Sequence, residues 1–285
     1  MKFFFPSIFF LFLLNNYCYP QSNDGEALLY NVSIGGVFGT IGAIINKKPN
    51  EKLDKVILKG FSQGSLGGYF TFESKRLLRL GAENEDWKLI WAAKLLNASG
   101  TSIKDNAVQN INFWHKWHLN IGFNRFEFET KDKFKMNYKI MPVALVYNVF
   151  AFSQAKFDYK TSLQTGEFFF KSNDYRLYEA GSRGVSFPGT IVIRNDQYNN
   201  YNVITHEIIH IYQSNDFSIL NSYYLKPLKK IEKKYDFISK INNHIYYDFH
   251  YLPLRLLYNL ETKTANRYYD NYFEHEAGYF SNTLH

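Results

Sequence analysis

The sequence is poor in cysteine, because Cys18 is the only one among 285 residues. A single cysteine has no partner within the chain, so a disulfide framework and a cysteine-rich zinc ribbon are both excluded. Lysine and arginine outnumber aspartate and glutamate by 33 to 26, but the cations are mostly scattered, and no nucleic-acid-binding module accompanies them. We therefore expect no nucleic acid among the partners.

One group of cations is concentrated in a short segment. Its members are Lys226, Lys229, Lys230, Lys233 and Lys234. Such a group could attract phosphate or an anionic lipid surface. The simpler interpretation is a solvated helix face, and the sequence leaves both open.

The start of the chain lacks an apolar run long enough to cross a bilayer. A lysine at position 2 precedes an almost wholly apolar block over residues 3–14, which is well short of the roughly 20 residues that a membrane-spanning helix needs. This pattern predicts a signal peptide over residues 1–20 and export to the periplasm, the cell envelope or the medium. If Cys18 were lipidated instead, the protein would be anchored to a membrane.

Hydrophobic residues make up 46% of the chain and aromatic residues 19%, which excludes a disordered protein. We predict the α+β class, with three regions after the signal peptide. These are a glycine-rich helical region over residues 21–110, an antiparallel β region over residues 111–180 and a mainly helical region over residues 181–285.

Small residues recur at every fourth position in two apolar segments, residues 27–46 and 53–80. They are Gly35, Gly39 and Ala43 in the first segment and Gly60, Gly64 and Gly68 in the second. This spacing forms a groove along one helix face and lets two backbones approach closely, so it predicts a helical hairpin that turns at residues 47–50. Strands are the competing interpretation, because glycine destabilises helices. A third helix over residues 87–107 would complete the region.

The relation of this hairpin to a membrane is open. Its first segment is barely long enough to span a bilayer, and its second carries Lys59 and Gln63 near its middle. Both close packing within a soluble protein and membrane association through residues 27–80 agree with the sequence.

Apolar and polar residues largely alternate in short, aromatic-rich runs between residues 113 and 170. This alternation is typical of antiparallel strands with one solvated face. We expect strands within residues 114–121, 126–129 and 134–140, with the sheet continuing over residues 145–152, 156–159 and 166–171. A further strand is expected over Thr190–Arg194. A small outer-membrane β-barrel is an alternative explanation of the alternation.

The strongest chemical signal is the sequence His206-Glu207-Ile208-Ile209-His210. Histidines four residues apart lie one turn apart on the same helix face, so both imidazoles can reach one metal ion. Glu207 can meet a water molecule bound to that ion. Two histidines on an apolar helix are also hard to satisfy without a ligand. We predict a metal site with His206 and His210 as ligands and Glu207 as the catalytic base.

A catalytic zinc site takes three protein ligands and leaves a fourth position for water. Several downstream residues could supply the third ligand. They are Glu274, His275 and Glu276, and more distantly His244, His250 and Asp270.

The two segments together resemble the gluzincins, zinc peptidases with a glutamate ligand, and in particular the CaaX-processing and heat-shock membrane-protease type. The match comprises H-E-x-x-H and, some sixty residues later, E-x-x-A at Glu274 to Ala277. Gly278 stands where that family usually has aspartate. The sequence H-E-x-x-H-x-x-Q, which ends at Gln213, is also similar to zincin-like domains of bacterial toxin and injection systems. The resemblance covers about residues 190–280.

By this resemblance, residues 181–285 form a zincin-like metallopeptidase region, and Zn²⁺ is bound by His206, His210 and Glu274, with Glu276 as the second choice for the third ligand. The resemblance also implies that Thr190–Arg194 is an edge strand that pairs with an extended peptide, so its three central residues would shape the cleft. Those residues are Ile191, Val192 and Ile193.

We therefore expect an exported zinc peptidase that acts on peptide or protein substrates through a zinc-bound water and Glu207. A donor for the oxyanion is also needed. The candidates from the sequence are Tyr223, Tyr224, His244, His250 and Arg267. The alternative function is that of a non-catalytic cell-envelope scaffold with a structural metal site.

Overall fold

The computed structural model of the protein describes residues 23–178, 182–197 and 199–284, apart from the side chains of Tyr175, Tyr224 and Lys226. The predicted signal peptide, residues 1–20, lies outside the described residues. The protein belongs to the α+β class, as predicted. The helices are α1 (Asp24–Ile45), α2 (Leu53–Glu83), α3 (Trp87–Val108), α4 (Pro142–Gln154), α5 (Tyr159–Thr165), α6 (Tyr201–Asp216), α7 (Asn221–Glu232), α8 (Asp236–Asn242), α9 (Tyr251–Thr264) and α10 (Tyr272–Ser281). The strands are β1 (Lys116–Ile121), β2 (Asn124–Glu129), β3 (Lys135–Ile140), β4 (Lys156–Phe157), β5 (Phe169–Ser172), β6 (Gly184–Phe187) and β7 (Thr190–Arg194).

Helices α1 and α2 form the predicted hairpin, and their glycines set its spacing. A Cβ atom on Gly64 would lie 2.1 Å from the carbonyl oxygen of Gly35, and one on Gly68 would lie 2.2 Å from that of Asn31. No other residue fits at such distances, so the two backbones are in direct contact. The predicted third helix is α3, and it packs on α2 in the same manner, with Gly67 against Gly100.

Among the described helices, α1 is long and apolar enough to cross a membrane by length and composition. Core helices and signal sequences meet the same criterion. A third of the apolar window of α1 is buried inside the protein, because its glycine face packs against α2. Membrane association of residues 27–80 stays a prediction.

Strands β1, β2 and β3 form an antiparallel sheet, in the part of the chain where alternation predicted one. The predicted continuation of this sheet is wrong, although strands do occur in two of its three segments, where β4 and β5 overlap residues 156–159 and 166–171. Residues 145–152 lie in α4, which begins at Pro142, a residue that favours the first turn of a helix. The prediction failed because the polar residue Asn148 was taken as part of a solvated strand face. It instead faces inward from α4, and its amide donates to the carbonyl oxygens of Ala144 and Gly189.

The remaining strands form a separate sheet in the order β4-β5-β7-β6. Strand β5 runs parallel to β7, while β4 and β6 pair antiparallel with their neighbours. Residues 111–180 therefore do not form one antiparallel sheet. Strand β7 covers the predicted residues, but it lies inside the sheet and β6 forms the edge.

One core joins the helical region to the C-terminal region. Ile191 and Ile193 of β7, together with Ile204 and Ile208 of α6, pack in the same cluster as residues of α1, α2, α3 and α10. A buried ion cluster adds to this junction. Lys75 of α2 lies 2.8 Å from Asp216 and 2.9 Å from Glu276, and Lys104 of α3 lies 2.7 Å from Asp216. These contacts hold α6 and α10 side by side.

Candidate metal centre

Helix α6 presents both histidines of the motif to α10. The helix begins after Asn200, whose side chain accepts a hydrogen bond from the backbone of Val203. Its isoleucines are buried in the core, and His206 and His210 lie on the face that α10 covers. The local sequence explains this arrangement, because a helical period of 3.6 residues separates the apolar positions from the two histidines.

Helix α10 supplies the carboxylate. Asn271 caps the helix by accepting hydrogen bonds from the backbone N–H groups of Phe273 and Glu274. Glu274 therefore lies in the first turn, where the helix dipole favours a negative charge. The hydroxyl of Tyr258 on α9 donates to Glu274 Oε1 at 2.7 Å and leaves Oε2 directed at the histidines.

The three predicted ligands converge. His206 Nε2 lies 3.1 Å from Glu274 Oε2 and 3.2 Å from His210 Nε2, and the third separation, His210 Nε2 to Glu274 Oε2, is 3.5 Å. Bonds of about 2.0–2.2 Å at tetrahedral angles place the ligand atoms of zinc roughly 3.3 Å apart. One point therefore lies about 2 Å from all three atoms. This buried cluster could hold a metal ion.

Glu276, the second choice for the third ligand, is directed elsewhere. One of its carboxylate oxygens lies 2.9 Å from Lys75 Nζ, and the other accepts from Gln213 Nε2 at 2.9 Å. Two of the three more distant candidates are also engaged away from the histidines. The imidazole of His250 contacts Asn221, and Asp270 accepts from the backbone of Arg267.

Gln213 orients His210. Its amide NH₂ donates to the carbonyl oxygen of Phe273 and to Glu276, which leaves its Oε1 facing His210 Nδ1 at 2.9 Å. Because an amide oxygen only accepts, His210 Nδ1 carries the proton of the neutral ring and Nε2 keeps a free lone pair towards the shared point. The glutamine of H-E-x-x-H-x-x-Q is thus a hydrogen-bond partner of a candidate metal ligand.

Charge within the cluster favours a cation. Burial by itself would lower the pKa of His210, but the carboxylate of Glu274 outweighs burial and raises it to about 9. Burial would raise the pKa of Glu274, and the two histidines instead hold it well below its ordinary value. The Glu274 carboxylate thus favours positive charge beside it, either a proton on His210 or a metal ion in its place.

Glu207 is held beside the cluster by β6. The Ser186 hydroxyl donates to Glu207 Oε2 at 2.7 Å, and a Cβ atom on Gly184 would lie 2.6 Å from Glu207 Oε1. Glycine at position 184 therefore leaves the space that the carboxylate occupies. Burial raises the pKa of Glu207 above its ordinary value.

The cluster opens into a cleft bordered by the edge strand β6. The cleft is lined by Val185, Ser186, Phe187, Glu207, His210, Tyr251, Leu254, Arg255, Tyr258, Tyr268, Phe273 and Glu274, among others. The prediction that Ile191, Val192 and Ile193 shape the cleft is wrong, because β7 is internal and all three are buried. Strand β6 follows a glycine-rich loop and has four residues, too few for its alternation to be recognised.

Sequence reasoning missed several residues of this cleft. Ser186, Tyr258 and Tyr268 belong to no motif, and the sequence has 23 tyrosines, so only the fold could single out these two. Four proposed oxyanion donors, Tyr223, His244, His250 and Arg267, are not among the described residues of the cleft lining. The side chain of Tyr224, the fifth, lies outside the described part of the chain.

The glycine that departs from the family pattern has a packing role. A Cβ atom on Gly278 would lie 2.7 Å from the ring of Tyr269 and 2.8 Å from the side chain of Leu284. The tight turn that follows α10 brings these residues close. It also brings the hydroxyl of Thr283 to 3.2 Å from His206 Nδ1.

Comparison of the chain with protein families, with curated proteins and with solved structures found no match.

Proposed function

We propose that the protein is a zinc-dependent peptidase. The observation that carries this proposal is the convergence of His206 Nε2, His210 Nε2 and Glu274 Oε2 with separations of 3.1–3.5 Å, in a cleft that also contains the Glu207 carboxylate. Two imidazoles and one carboxylate form a ligand set of catalytic zinc sites, which keep an open position for water. The same arrangement supports membership of the gluzincin type.

Zinc in this site would supply a water of lowered pKa and a Lewis acid for the scissile carbonyl group. Glu207 would accept the proton of the attacking water and deliver it to the leaving amine. Its raised pKa suits this exchange, and Ser186 keeps its carboxylate in place. Tyr268 lines the cleft beside Glu274, and its hydroxyl would be a hydrogen-bond donor for a developing oxyanion.

The free edge of β6 suits an extended peptide. In an antiparallel pair, successive residues of one strand point their N–H and carbonyl groups alternately towards the partner strand and away from it. The backbone N–H of Arg194 donates to the carbonyl oxygen of Arg183, which fixes this alternation along β6. Ser186 therefore points its N–H and carbonyl groups away from β7, to the open edge. A substrate strand could pair with these groups whatever its side chains. Apolar residues such as Val185, Phe187 and Leu254 line the same cleft and would favour apolar substrate side chains.

The decisive experiment is the Glu207→Gln variant of the purified, zinc-loaded chain. We expect zinc content equal to that of the wild type and a loss of turnover on fluorescently labelled casein of roughly 10²–10⁴-fold, because a general base contributes about this much. Glu261→Gln on α9 makes the same chemical change at a residue that does not line the cleft. It should keep full activity.

Zinc analysis and hydrolysis separate the alternatives. Wild-type protein that holds zinc but hydrolyses neither casein nor a mixed peptide library would contradict the peptidase and support the scaffold with a structural metal. Export, predicted from residues 1–20, is tested by the location of the full-length protein in fractionated cells.

A further inference from the structure

A second cavity, of about 450 Å³, opens where four segments of the chain meet. They are the turn after α1, the loop from α3 to β1, the β2–β3 hairpin and α7. Five lysines of these segments line the cavity, and we call them the basic face. They are Lys48, Lys116, Lys131, Lys133 and Lys229. The cavity shares no lining residue with the metal cleft.

The basic face has more positive charge than its neighbours balance. Two carboxylates line the same cavity, and each lies near one lysine, Glu129 at 3.5 Å from Lys116 and Asp132 at 3.8 Å from Lys131. Of the other three lysines, Lys48 interacts electrostatically with the Glu51 carboxylate. No ion pair joins Lys133 or Lys229 to any described residue. A concave surface with such an excess of cations attracts anions.

The pKa of a histidine that lines the cavity is also affected by this positive charge. His115 has its pKa lowered, first by burial and next by the charges of Lys131 and Lys59. The lysine run that stands out in the sequence contributes to this surface through Lys229 on α7. The run is therefore not an isolated helix face but one side of a surface that three other segments complete.

Exposed apolar side chains border the basic face. Phe134 is 72% exposed, Met136 is 59% exposed and Trp114 is 46% exposed. The hairpin tip and Trp114 are adjacent, because the Thr130 backbone N–H donates to the carbonyl of His115 and the Thr130 hydroxyl donates to that of Trp114. Binding of a small phosphate compound would not require exposed apolar side chains beside the lysines. The interface of a lipid bilayer favours aromatic side chains together with lysines.

Each of the two rings already packs on a neighbouring aromatic ring, which leaves fewer ring faces for stacking on the bases of a nucleic acid. Phe134 is already stacked on Phe128, with ring centroids 6.1 Å apart, and Trp114 meets Phe113 edge to face at 4.8 Å. Single-stranded nucleic acids bind instead to free ring faces along a basic groove. These contacts favour a membrane over a nucleic acid.

We propose that the basic face, together with Trp114 and Phe134, binds the surface of an anionic phospholipid bilayer. The lysines contact headgroup phosphates, and the two aromatic side chains enter the interfacial layer. This contact is peripheral and does not require the helices of residues 27–80 to enter the bilayer, since Lys48 in the turn after α1 is the one lysine of the basic face from that range. It is independent of the metal centre and would hold for a protein without peptidase activity.

Sedimentation of the whole chain with vesicles tests the proposal. Wild type should bind vesicles of phosphatidylcholine mixed with phosphatidylglycerol and not vesicles of phosphatidylcholine alone. A triple variant, Lys131→Glu, Lys133→Glu and Lys229→Glu, should bind at least about a hundredfold more weakly, because each lysine near an anionic surface contributes a factor of about five. The control variant Lys88→Glu, Lys156→Glu and Lys160→Glu changes net charge equally on exposed lysines outside the cavity. It should bind as wild type does.

Tryptophan fluorescence provides a second measurement. A brominated phospholipid in the anionic vesicles should quench part of the emission of the wild type, and Trp114→Phe should lose this quenching while it still sediments with the vesicles. Equal weakening by both triple variants would overturn the proposal, since net charge alone would then explain binding. Tighter binding to tripolyphosphate or to an oligothymidylate than to anionic vesicles would overturn it as well.

Discussion

Helices α6 and α10 carry two buried polar clusters, and only one of them pairs its carboxylates with lysines. In the ion cluster, Asp216 and Glu276 each have a lysine within 2.9 Å, and two lysines meet two carboxylates. In the metal centre, Glu274 meets two imidazoles whose Nε2 atoms lie 3.2 Å apart. At most one hydrogen can lie between those two nitrogens. The first cluster is complete with its own lysines, whereas the second could hold a metal ion.

The two clusters are also connected. Glu276 belongs to the ion cluster, and through Gln213 it contacts His210 of the metal centre. The glycine-packed hairpin thus reaches the metal site through Lys75. Through these contacts the N-terminal helices can influence the orientation of His210.

The largest expected effect is on the ion cluster. Lys75→Met leaves the buried carboxylate of Glu276 without its cation and should lower the free energy of unfolding by about 3–5 kcal/mol. Chemical denaturation measures this loss. Adding Glu276→Gln removes the unpaired charge and should restore part of the stability. If Lys75→Met alone left stability unchanged, the cluster would not hold the helices together.

The next largest effect concerns the metal. Glu274→Ala removes one of three protein ligands and should weaken zinc binding by about 10²–10³-fold, if a total of roughly 10–16 kcal/mol is shared among four ligands. Competition with a chromophoric chelator measures the affinity. Glu276→Ala should retain stoichiometric zinc. The opposite result for these two variants would exchange their roles.

A pH series sharpens the contrast between balanced and unbalanced buried charge. Burial raises the pKa of Asp105 from 3.8 to about 6, because Arg125 lies 3.8 Å away and compensates incompletely. Because the folded-state pKa of this carboxyl group is higher than its unfolded-state pKa, the protein loses stability as the pH rises from 3.8 to about 6. Asp105→Asn should therefore gain up to roughly 3 kcal/mol relative to the wild type between pH 4 and pH 6, and no more above it.

Asp216→Asn is the matched control for the pH series. Burial by itself would raise the pKa of Asp216, but the charges of Lys104 and Lys75 outweigh burial, so the pKa lies below its ordinary value. Its contribution is present above its unfolded-state pKa of 3.8 and is lost as the pH falls through the lower folded-state pKa. The asparagine variant should thus be less stable than the wild type at neutral pH. Parallel pH curves for both variants would contradict the assigned environments.

The smallest effect is expected at the connection between the clusters. Gln213→Leu removes the acceptor that fixes the tautomer of His210 and should weaken zinc binding by about 10–100-fold. Gln213→Glu keeps a hydrogen-bond acceptor at that position and should weaken zinc binding less than Gln213→Leu does. Unchanged affinity in the leucine variant would show that the metal alone orients the histidine.

Local periodicity accounts for what could be predicted here. The glycine spacing predicted the contact of α1 with α2, and the alternation predicted β1, β2 and β3. Prediction failed where a polar residue was buried by a distant partner, as with Asn148 in α4, and where a strand was as short as β6. Ser186 and Tyr258 could not be found, since their roles arise from contacts with residues far along the chain.

The sequence by itself determined the pair His206 and His210, because residues four apart share a helix face in any fold that keeps the helix. Only the tertiary structure decided between Glu274 and Glu276. Side chains two residues apart on a helix point in directions about 200° apart, so only one of them can face α6 at the histidines. The packing of α10 between α6 and α2 turned Glu274 to the histidines and Glu276 to Lys75.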